Sequence, residues 1–417
     1  MLTTRLLYWL RRRLLSLQVV TYLNGDPSVA VQQTEAFALE TIKIVSKKTP
    51  REDRYVIADA LRLTAIIAVV LNHLVAQTNP RFFGHTHMFS FLGTWGVATF
   101  FVLSGYLLSR PFVQALIGDK PFPSMRLFLL RRLLRIVPLY VVALFFSVIV
   151  VNYFAIMHPT STDIVSHLFF LHDFDVATIV SINGPLWTMP VDFEFYFALP
   201  FMALLLSPVM RSAPRANRAN ILLAIIAFGI VLTFVYRIMM IVRFPQFTHD
   251  EFASKVYINN GIGLGNIFLL GTALGMLLDI YKFRLSQSQI AAFAAVEIML
   301  LIAVWRTDEG SSSLAMTMHM FLSAVSSALL LIVLPQIPVI INLSKSRLVV
   351  SGASLAYAIY LFHLPILEAA FKALALGRNN LSFVILSFAV FLLVIPIAYV
   401  MHRFVERPFL LLKNRQR

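Results

Sequence analysis

The chain alternates between long apolar stretches and shorter polar segments, and ten of the stretches are about 20 residues long. A helix needs about 20 apolar residues to cross the hydrocarbon core of a bilayer. The stretches lack the alternation of apolar and polar positions that is typical of membrane β-barrel strands. The pattern therefore predicts an all-α integral membrane protein, a bundle of about ten transmembrane helices. The predicted spans are residues 56–77, 92–113, 134–156, 186–207, 221–241, 261–280, 289–305, 314–334, 352–372 and 383–402.

Composition supports a membrane protein. Of the 417 residues, 59% are hydrophobic and only 13% are charged, with a mean hydropathy of +0.79. Soluble domains are about 45–50% apolar and about 25% charged. The chain has no cysteine, which excludes disulfides, thiolate metal sites and an acyl-cysteine intermediate.

The basic residues predict the orientation of the bundle. With both termini in the cytoplasm, 27 of the 35 Lys and Arg residues fall on the cytoplasmic side and 7 on the other side. Cytoplasmic loops of membrane proteins are enriched in Lys and Arg. The net charge of +15 thus reflects topology and argues against nucleic acid as a partner. We expect a multi-pass protein of the inner (plasma) membrane.

The first 50 residues differ from the rest of the chain. The apolar segment from Leu2 to Val20 is interrupted by three arginines, Arg11–Arg13, and is therefore too short to span. A basic amphipathic helix in the membrane interface fits this pattern better. We predict an N-terminal extension at residues 1–50, with an interfacial helix and a polar linker, and a transmembrane domain at residues 51–417.

Three ionisable residues stand within the first predicted span. Arg62 and His73 are eleven residues apart, so they lie on nearly the same helix face, about 16 Å apart along the axis. Asp59 is three residues before Arg62 and can pair with it. Ionisable groups inside a membrane are costly and often functional. A neutral His73 that only bonds a neighbouring helix is the alternative.

The fourth predicted span begins with two acids, Asp192 and Glu194, at a depth level with His73. A histidine that is held by a carboxylate can deprotonate a hydroxyl as a general base. The two acids point to different faces, so only one is expected to meet His73. The alternative is that they brace a helix that Pro190 breaks.

A group of arginines, Arg131, Arg132 and Arg135, stands where the third predicted span begins. Such a group anchors the cytoplasmic end of many membrane helices. Guanidinium groups also bind phosphates with two parallel hydrogen bonds. The arginines are therefore candidates for a phosphate-binding site, although the group alone does not decide between the two roles.

Other histidines are weaker candidates. His363 follows Tyr357 and Tyr360 in the ninth predicted span and either lines a substrate path or bonds a neighbouring helix. Five more have spacings that match no metalloenzyme pattern, so we expect solvated loops and no metal site. These are His85, His87, His158, His167 and His172.

Six segments, in order along the chain, resemble the motifs of the acyltransferase-3 family of bacterial membrane proteins. Asp59–Arg62 with His73 is similar to the family's D-G-L-R and its arginine–ten residues–histidine motif. The others resemble G-V-D-x-F-F-V-L-S-G-F, R-R-x-x-R before a proline, W-S-L-x-V-E-x-x-F-Y, S-Y-x-L-Y-L-W-H-x-P and F-x-E-R-P-F. They are Gly96–Tyr106, Arg131–Pro138, Trp187–Tyr196, Tyr357–Pro365 and Phe404–Phe409.

The resemblance implies an acyl-CoA donor, usually acetyl-CoA, and a catalytic role for His73. It also implies that Arg62 and the three arginines of the third span bind the donor. The chain departs from the motifs at Ala98, Ala356 and Asp192, where the family has aspartate, serine and glutamate. The shorter acid at Asp192 leaves open whether it or Glu194 partners His73.

The sequence and the resemblance together predict a membrane O-acyltransferase that moves an acetyl group from cytosolic acetyl-CoA to a hydroxyl of a cell-envelope or exported glycan. His73, with Asp192 or Glu194, is the predicted catalytic group, either as a base or as an acyl carrier. The rival hypothesis is a proton-coupled transporter or an exporter of lipid-linked sugars. Predicted substrate-binding residues are Asp59, Trp187, Tyr357, Tyr360 and His363.

Overall fold

The computed structural model describes residues 50–81, 89, 91–118, 120–248, 250–281, 283–308 and 313–415, and all regular structure in these ranges is helical. The predicted N-terminal extension falls outside them up to residue 49. The helices are α1 Pro50–Thr78, α2 Phe91–Leu108, α3 Arg110–Gly118, α4 Met125–Tyr153, α5 Ser161–Leu168, α6 Thr188–Ser212, α7 Arg215–Arg243, α8 Glu251–Tyr257, α9 Gly265–Ile280, α10 Gln287–Asp308, α11 Ser313–Val333, α12 Pro338–Ser344, α13 Arg347–Ala373, α14 Asn380–Met401 and α15 Arg407–Arg415.

Nine helical segments of the described residues are long and apolar enough to cross a membrane. This confirms an all-α membrane bundle. The tenth predicted span, 261–280, is the shorter helix α9, which has 16 residues. A helix of that length rises about 24 Å, less than the hydrocarbon thickness of about 30 Å. Most of α9 is buried among other helices, so it does not have to match the thickness of the hydrocarbon core.

Three apolar cores hold the bundle together. The first joins α1, α4, α13 and α14 with the start of α6. The second joins α1, α2, α9 and α11 with Val191 of α6, and the third joins α3, α6 and α7. Helix α1 contributes to two cores and α6 to all three, so the polar residues that these helices carry lie in the interior of the bundle.

Helices α2 and α9 approach each other at small residues. A Cβ atom at Gly105 would lie 2.1 Å from the carbonyl oxygen of Phe268, and one at Gly271 would lie 2.2 Å from that of Val102. Close backbone packing of this kind is common between membrane helices, because lipid offers no hydrophobic drive for their association. The glycines therefore allow the short α9 to pack in the centre of the bundle.

The structure differs from the sequence analysis at the start of the third span and at Pro190. Helix α4 begins at Met125 and not at residue 134, so Arg131, Arg132 and Arg135 lie two turns or more inside it. Pro190 does not break the fourth span, because it is in the first turn of α6, where a backbone N–H has no partner in the helix.

Candidate functional site

Three arginines of α1 and α4, Arg62, Arg132 and Arg135, form what we call the arginine cluster. Arg62 pairs with Asp59, which confirms the predicted ion pair one turn away. Nη1 of Arg135 lies 3.1 Å from Oε1 of Glu406. The three guanidinium groups lie close enough for their charges to interact. Carboxylates on neighbouring turns and helices thus offset a concentration of positive charge inside the bundle.

Glu406 is a residue of this site that sequence reasoning missed. It ends a π-helical turn, His402–Glu406, between α14 and α15, and its side chain is 0% exposed. Nδ1 of His402 lies 2.8 Å from its other oxygen. The chain continues as a helix through this wide turn into α15. Such turns often occur at functional sites.

Asp192 lies at the arginine cluster. Oγ of Ser104 donates a hydrogen bond to it at 3.4 Å, and the side chain of Tyr196 lies close enough to interact with its carboxylate. Its carboxylate is also within electrostatic range of Arg132. Nε of Arg132 is buried without a hydrogen-bond partner among the described residues, while its guanidinium lies over the ring of Phe128 at 5.9 Å. Arg132 therefore retains hydrogen-bonding capacity for an anion.

His73 and His363, which we call the histidine pair, come together from α1 and α13. Their ring centroids are 5.2 Å apart, with the planes tilted by 40°. Nδ1 of His363 lies 2.7 Å from the carbonyl oxygen of Tyr360. Since a carbonyl only accepts, Nδ1 carries the proton and Nε2 carries a lone pair. That Nε2 is buried and has no hydrogen-bond partner among the described residues.

Tyr360 stands between the histidine pair and the arginine cluster. Its ring centroid is 5.9 Å from that of His363, and its hydroxyl donates to the carbonyl of Pro185 at 2.8 Å. Oγ1 of Thr188 lies 2.7 Å from the same hydroxyl. Asp192 is within electrostatic range of Tyr360. A series of polar groups thus leads from the histidine pair to the arginine cluster.

The remaining predicted residues have separate places. Trp187 ends a 3₁₀ turn, Gly184–Trp187, and packs against the second core. Tyr357 lies near Glu406, and its hydroxyl donates to the carbonyl of Ile136 at 2.9 Å. Arg131 immediately precedes Arg132 in α4.

Neither acid of α6 bonds to His73. The carboxylate of Glu194 lies directly against the backbone of Gly261, where an added Cβ would collide with Oε2. Among the described residues, no hydrogen bond or ion pair joins His73 to Asp192 or Glu194. The acid partner of His73 therefore stays a prediction.

Arg237 was also missed, although it stands inside an apolar stretch, where a charge signals function or a structural bond. It is 1% exposed, and its Nη1 donates to Oδ1 of Asn259 at 3.0 Å. The same nitrogen donates to the carbonyls of Ile258 and Gly263, each at 3.3 Å. Arg237 thus holds the segment that brings Gly261 against Glu194.

The segment between α4 and α6 buries two of the histidines that we expected to be solvated. His167 and His172 are 0% exposed, and their rings stack in parallel with centroids 3.9 Å apart. Burial lowers the pKa of His167 to about 4 and that of His172 to about 3. Burial, and then the charge of Glu194, raises the pKa of Asp173 to about 7.

His158 is exposed, as predicted, while His85 and His87 lie outside the described residues. Within the described ranges, His, Cys, Asp and Glu side chains form no group of three or more that could hold a metal ion.

Comparisons with known proteins give three findings. Residues 55–403 match the family model Acyl_transf_3, described as an acyltransferase domain. The chain is 24% identical over 369 residues to the Bacillus subtilis (strain 168) protein named "Putative peptidoglycan O-acetyltransferase YrhL". The alignment covers 84% of this chain and 54% of that protein, so the chain spans about half the length of this relative. No solved structure matches the chain.

Proposed function

Because this chain belongs to the acyltransferase-3 family, we propose that it is a membrane O-acyltransferase that moves an acetyl group from acetyl-CoA to a hydroxyl of a cell-envelope glycan. The observation that carries the proposal is the pair of polar groups inside the bundle. Helix α1 provides a member of each, Arg62 and His73. Anion binding at one level and proton transfer at another are the two tasks of acyl transfer from a charged donor.

The arginine cluster binds the phosphates of the donor in this proposal. Guanidinium groups bind phosphates through paired, charge-assisted hydrogen bonds. The unpartnered Nε of Arg132 supports this role. The distribution of basic residues supports a cytoplasmic position for this end of the bundle, where acyl-CoA is present. The membrane is then the inner membrane.

The histidine pair carries the reaction. His73 accepts the proton of the acceptor hydroxyl, whose oxygen attacks the thioester carbonyl. The C–O bond of the ester forms as the C–S bond breaks, and the proton goes to the departing CoA thiolate. In the covalent alternative His73 first takes the acetyl group and then passes it to the hydroxyl. The lone pair on Nε2 of His363 supports a role in orienting the hydroxyl or receiving its proton.

The relative's name supports an envelope glycan as the acceptor. Peptidoglycan is one such acceptor, and other exported glycans have the same hydroxyl chemistry. The tyrosines and Trp187 offer the aromatic faces and hydroxyl groups that seat sugars, and Tyr360 lies closest to the histidine pair among them.

The direct test is transfer of labelled acetyl from acetyl-CoA to a glycan fragment by the purified protein in lipid nanodiscs. His73→Ala should reduce kcat by about 100-fold or more, since general base catalysis contributes about 10²–10⁴-fold. The control is His319→Ala, which removes another buried histidine, on α11. Undiminished transfer by His73→Ala would refute the assignment.

Binding of CoA separates this proposal from the transporter hypothesis. An acyltransferase should bind CoA in calorimetry without any acceptor present, and Arg132→Ala should weaken that binding. A transporter or exporter of sugars should release no heat with CoA and should accumulate its substrate in vesicles.

A further inference from the structure

A cavity of about 270 Å³ opens between α3, α6 and α7, away from the residues assigned so far. One part of its wall is apolar, and another is basic. The apolar part includes Leu116, Phe122 and Met210, beside the hydroxyl of Ser207, and the cations are Lys120, Arg211 and Arg218.

The charges of the cavity favour an anion. Three cationic side chains and no carboxylate are present among the described residues that line it. Nζ of Lys120 donates to the side-chain oxygen of Gln114 at 2.9 Å. Arg218 donates to the backbone carbonyls of Ala213 and Arg211, at the turn between α6 and α7. These acceptors orient the two side chains at the edge of the cavity.

A row of aromatic rings joins the cavity to the arginine cluster. Phe122 of the cavity wall contacts Phe112 with ring centroids 5.7 Å apart, and Phe112 contacts Phe128 at 5.0 Å. Phe128 in turn lies below the guanidinium of Arg132. The cavity and the arginine cluster therefore belong to the same end of the bundle, with the cluster deeper inside.

We propose that this basic cavity binds the 3′-phosphorylated nucleotide end of the acyl-CoA donor, while the arginine cluster binds the pyrophosphate. This inference rests on the proposed function. Coenzyme A carries its 3′-phosphate on the ribose, next to the adenine and far from the thioester. Lys120 and Arg211 bind the phosphate, and the ring of Phe122 offers a face on which the base stacks.

The test compares two donors, acetyl-CoA and 3′-dephospho-acetyl-CoA. The parent should have a KM about tenfold higher for the dephospho donor, because one charge-assisted phosphate contact is lost. The double variant Lys120→Ala/Arg211→Ala should raise KM for acetyl-CoA about tenfold. It should leave kcat and the KM for the dephospho donor nearly unchanged.

The matched control is Arg284→Ala/Arg347→Ala, which removes two exposed cations from the same predicted membrane side. It should keep the parent's preference for the 3′-phosphate. Arg218 is left in place because it also bonds the α6–α7 turn.

Other outcomes overturn the inference. An equal rise of KM for both donors in the cavity variant would show that the cavity does not bind the 3′-phosphate. If instead the parent is stimulated by phosphatidylglycerol in the nanodisc, and the variant loses that stimulation with both donors, the cavity binds a lipid phosphate. Transfer by the parent without discrimination between donors refutes the inference alone. Absence of both transfer and CoA binding refutes the proposed function as well.

Discussion

The arginine cluster and the histidine pair solve the problem of buried polarity in opposite ways. At the arginine cluster the charges are fixed and have acids beside them, as in Arg62–Asp59 and Arg135–Glu406. At the histidine pair the groups are imidazoles, which, unlike guanidinium groups, can be neutral. Nε2 of His363 has no hydrogen-bond partner among the described residues. Fixed charges in a low dielectric need counter-charges, whereas an imidazole can keep a lone pair available.

This difference indicates which measured property, kcat or donor binding, should depend on each region. A paired, pre-oriented cluster suits binding of an anion that stays charged throughout the reaction. An imidazole with an available lone pair suits transfer of a proton. Substitutions at the histidine pair should therefore change kcat, and substitutions at the arginine cluster should change donor binding or stability.

After His73, the largest expected effect is at His363. The substitution His363→Gln keeps a polar side chain but removes the nitrogen that carries the lone pair. If this nitrogen assists His73, kcat should fall about 100-fold, which is about 2.7 kcal/mol in the activation free energy. KM for acetyl-CoA should stay within about twofold of the parent, since this substitution leaves the arginines intact.

Single-turnover and steady-state kinetics check this prediction, again with His319→Ala as the control. An increase in KM for acetyl-CoA with unchanged kcat would assign His363 to donor binding and would remove the distinction between the two regions.

The next effect is on stability, at Glu406. The substitution Glu406→Gln leaves Arg135 without its counter-charge and should lower the free energy of unfolding by about 2 kcal/mol. This is below the usual cost of breaking a fully buried pair, because the side chain of Arg135 is 36% exposed. Thermal unfolding in detergent measures the loss.

A double variant tests whether the pair is the cause. Glu406→Gln/Arg135→Gln should be more stable than the sum of the two single effects predicts, since the second substitution removes the unpaired charge. Additive losses would mean that Glu406 stabilises the π turn through His402 alone. Glu297→Gln, at a half-buried acid that accepts from Ser326 at 2.5 Å and has no cation partner among the described residues, is the matched control.

The sequence was sufficient for the parts of the site that depend on one helix. Arg62, Asp59 and His73 share α1, so helical spacing alone predicted the ion pair and the common face. The spacing of residues along the sequence could not predict contacts between different helices. Equal depth suggested that Asp192 or Glu194 meets His73, but depth does not fix the rotation of a helix, and Asp192 lies within electrostatic range of Arg132.

The missed residues have the same physical origin. Glu406 and Arg237 stand near the ends of apolar stretches, where charges normally reach water. Only the packing of α4 against the π turn makes Glu406 a buried partner of Arg135. In the same way, His167 and His172 stand in a polar segment, and only its folding back over the bundle buries them.

The smallest expected effect comes from Asp173. This buried acid differs from the acids of the arginine cluster, because the charged neighbour that affects it among the described residues is a second acid, Glu194, and not a cation. Its pKa is raised to about 7 from an ordinary value near 4, so the folded state binds a proton that the unfolded state has lost. Its contribution to stability is therefore complete below about pH 4 and is lost as the pH rises through about 7. Asp173→Asn is neutral at every pH and should escape that loss.

The stability of Asp173→Asn relative to the parent should rise between pH 4 and pH 8 by on the order of 1–2 kcal/mol, with allowance for partial solvent screening. The low pKa values of His167 and His172 destabilise both proteins equally as the pH falls below about 6.5, so they cancel in the difference. Tryptophan fluorescence during thermal unfolding, at one-unit pH steps, gives the measurement. A difference that does not vary with pH would mean that Asp173 is already ionised in the fold, and the contrast with the paired acids of the arginine cluster would disappear.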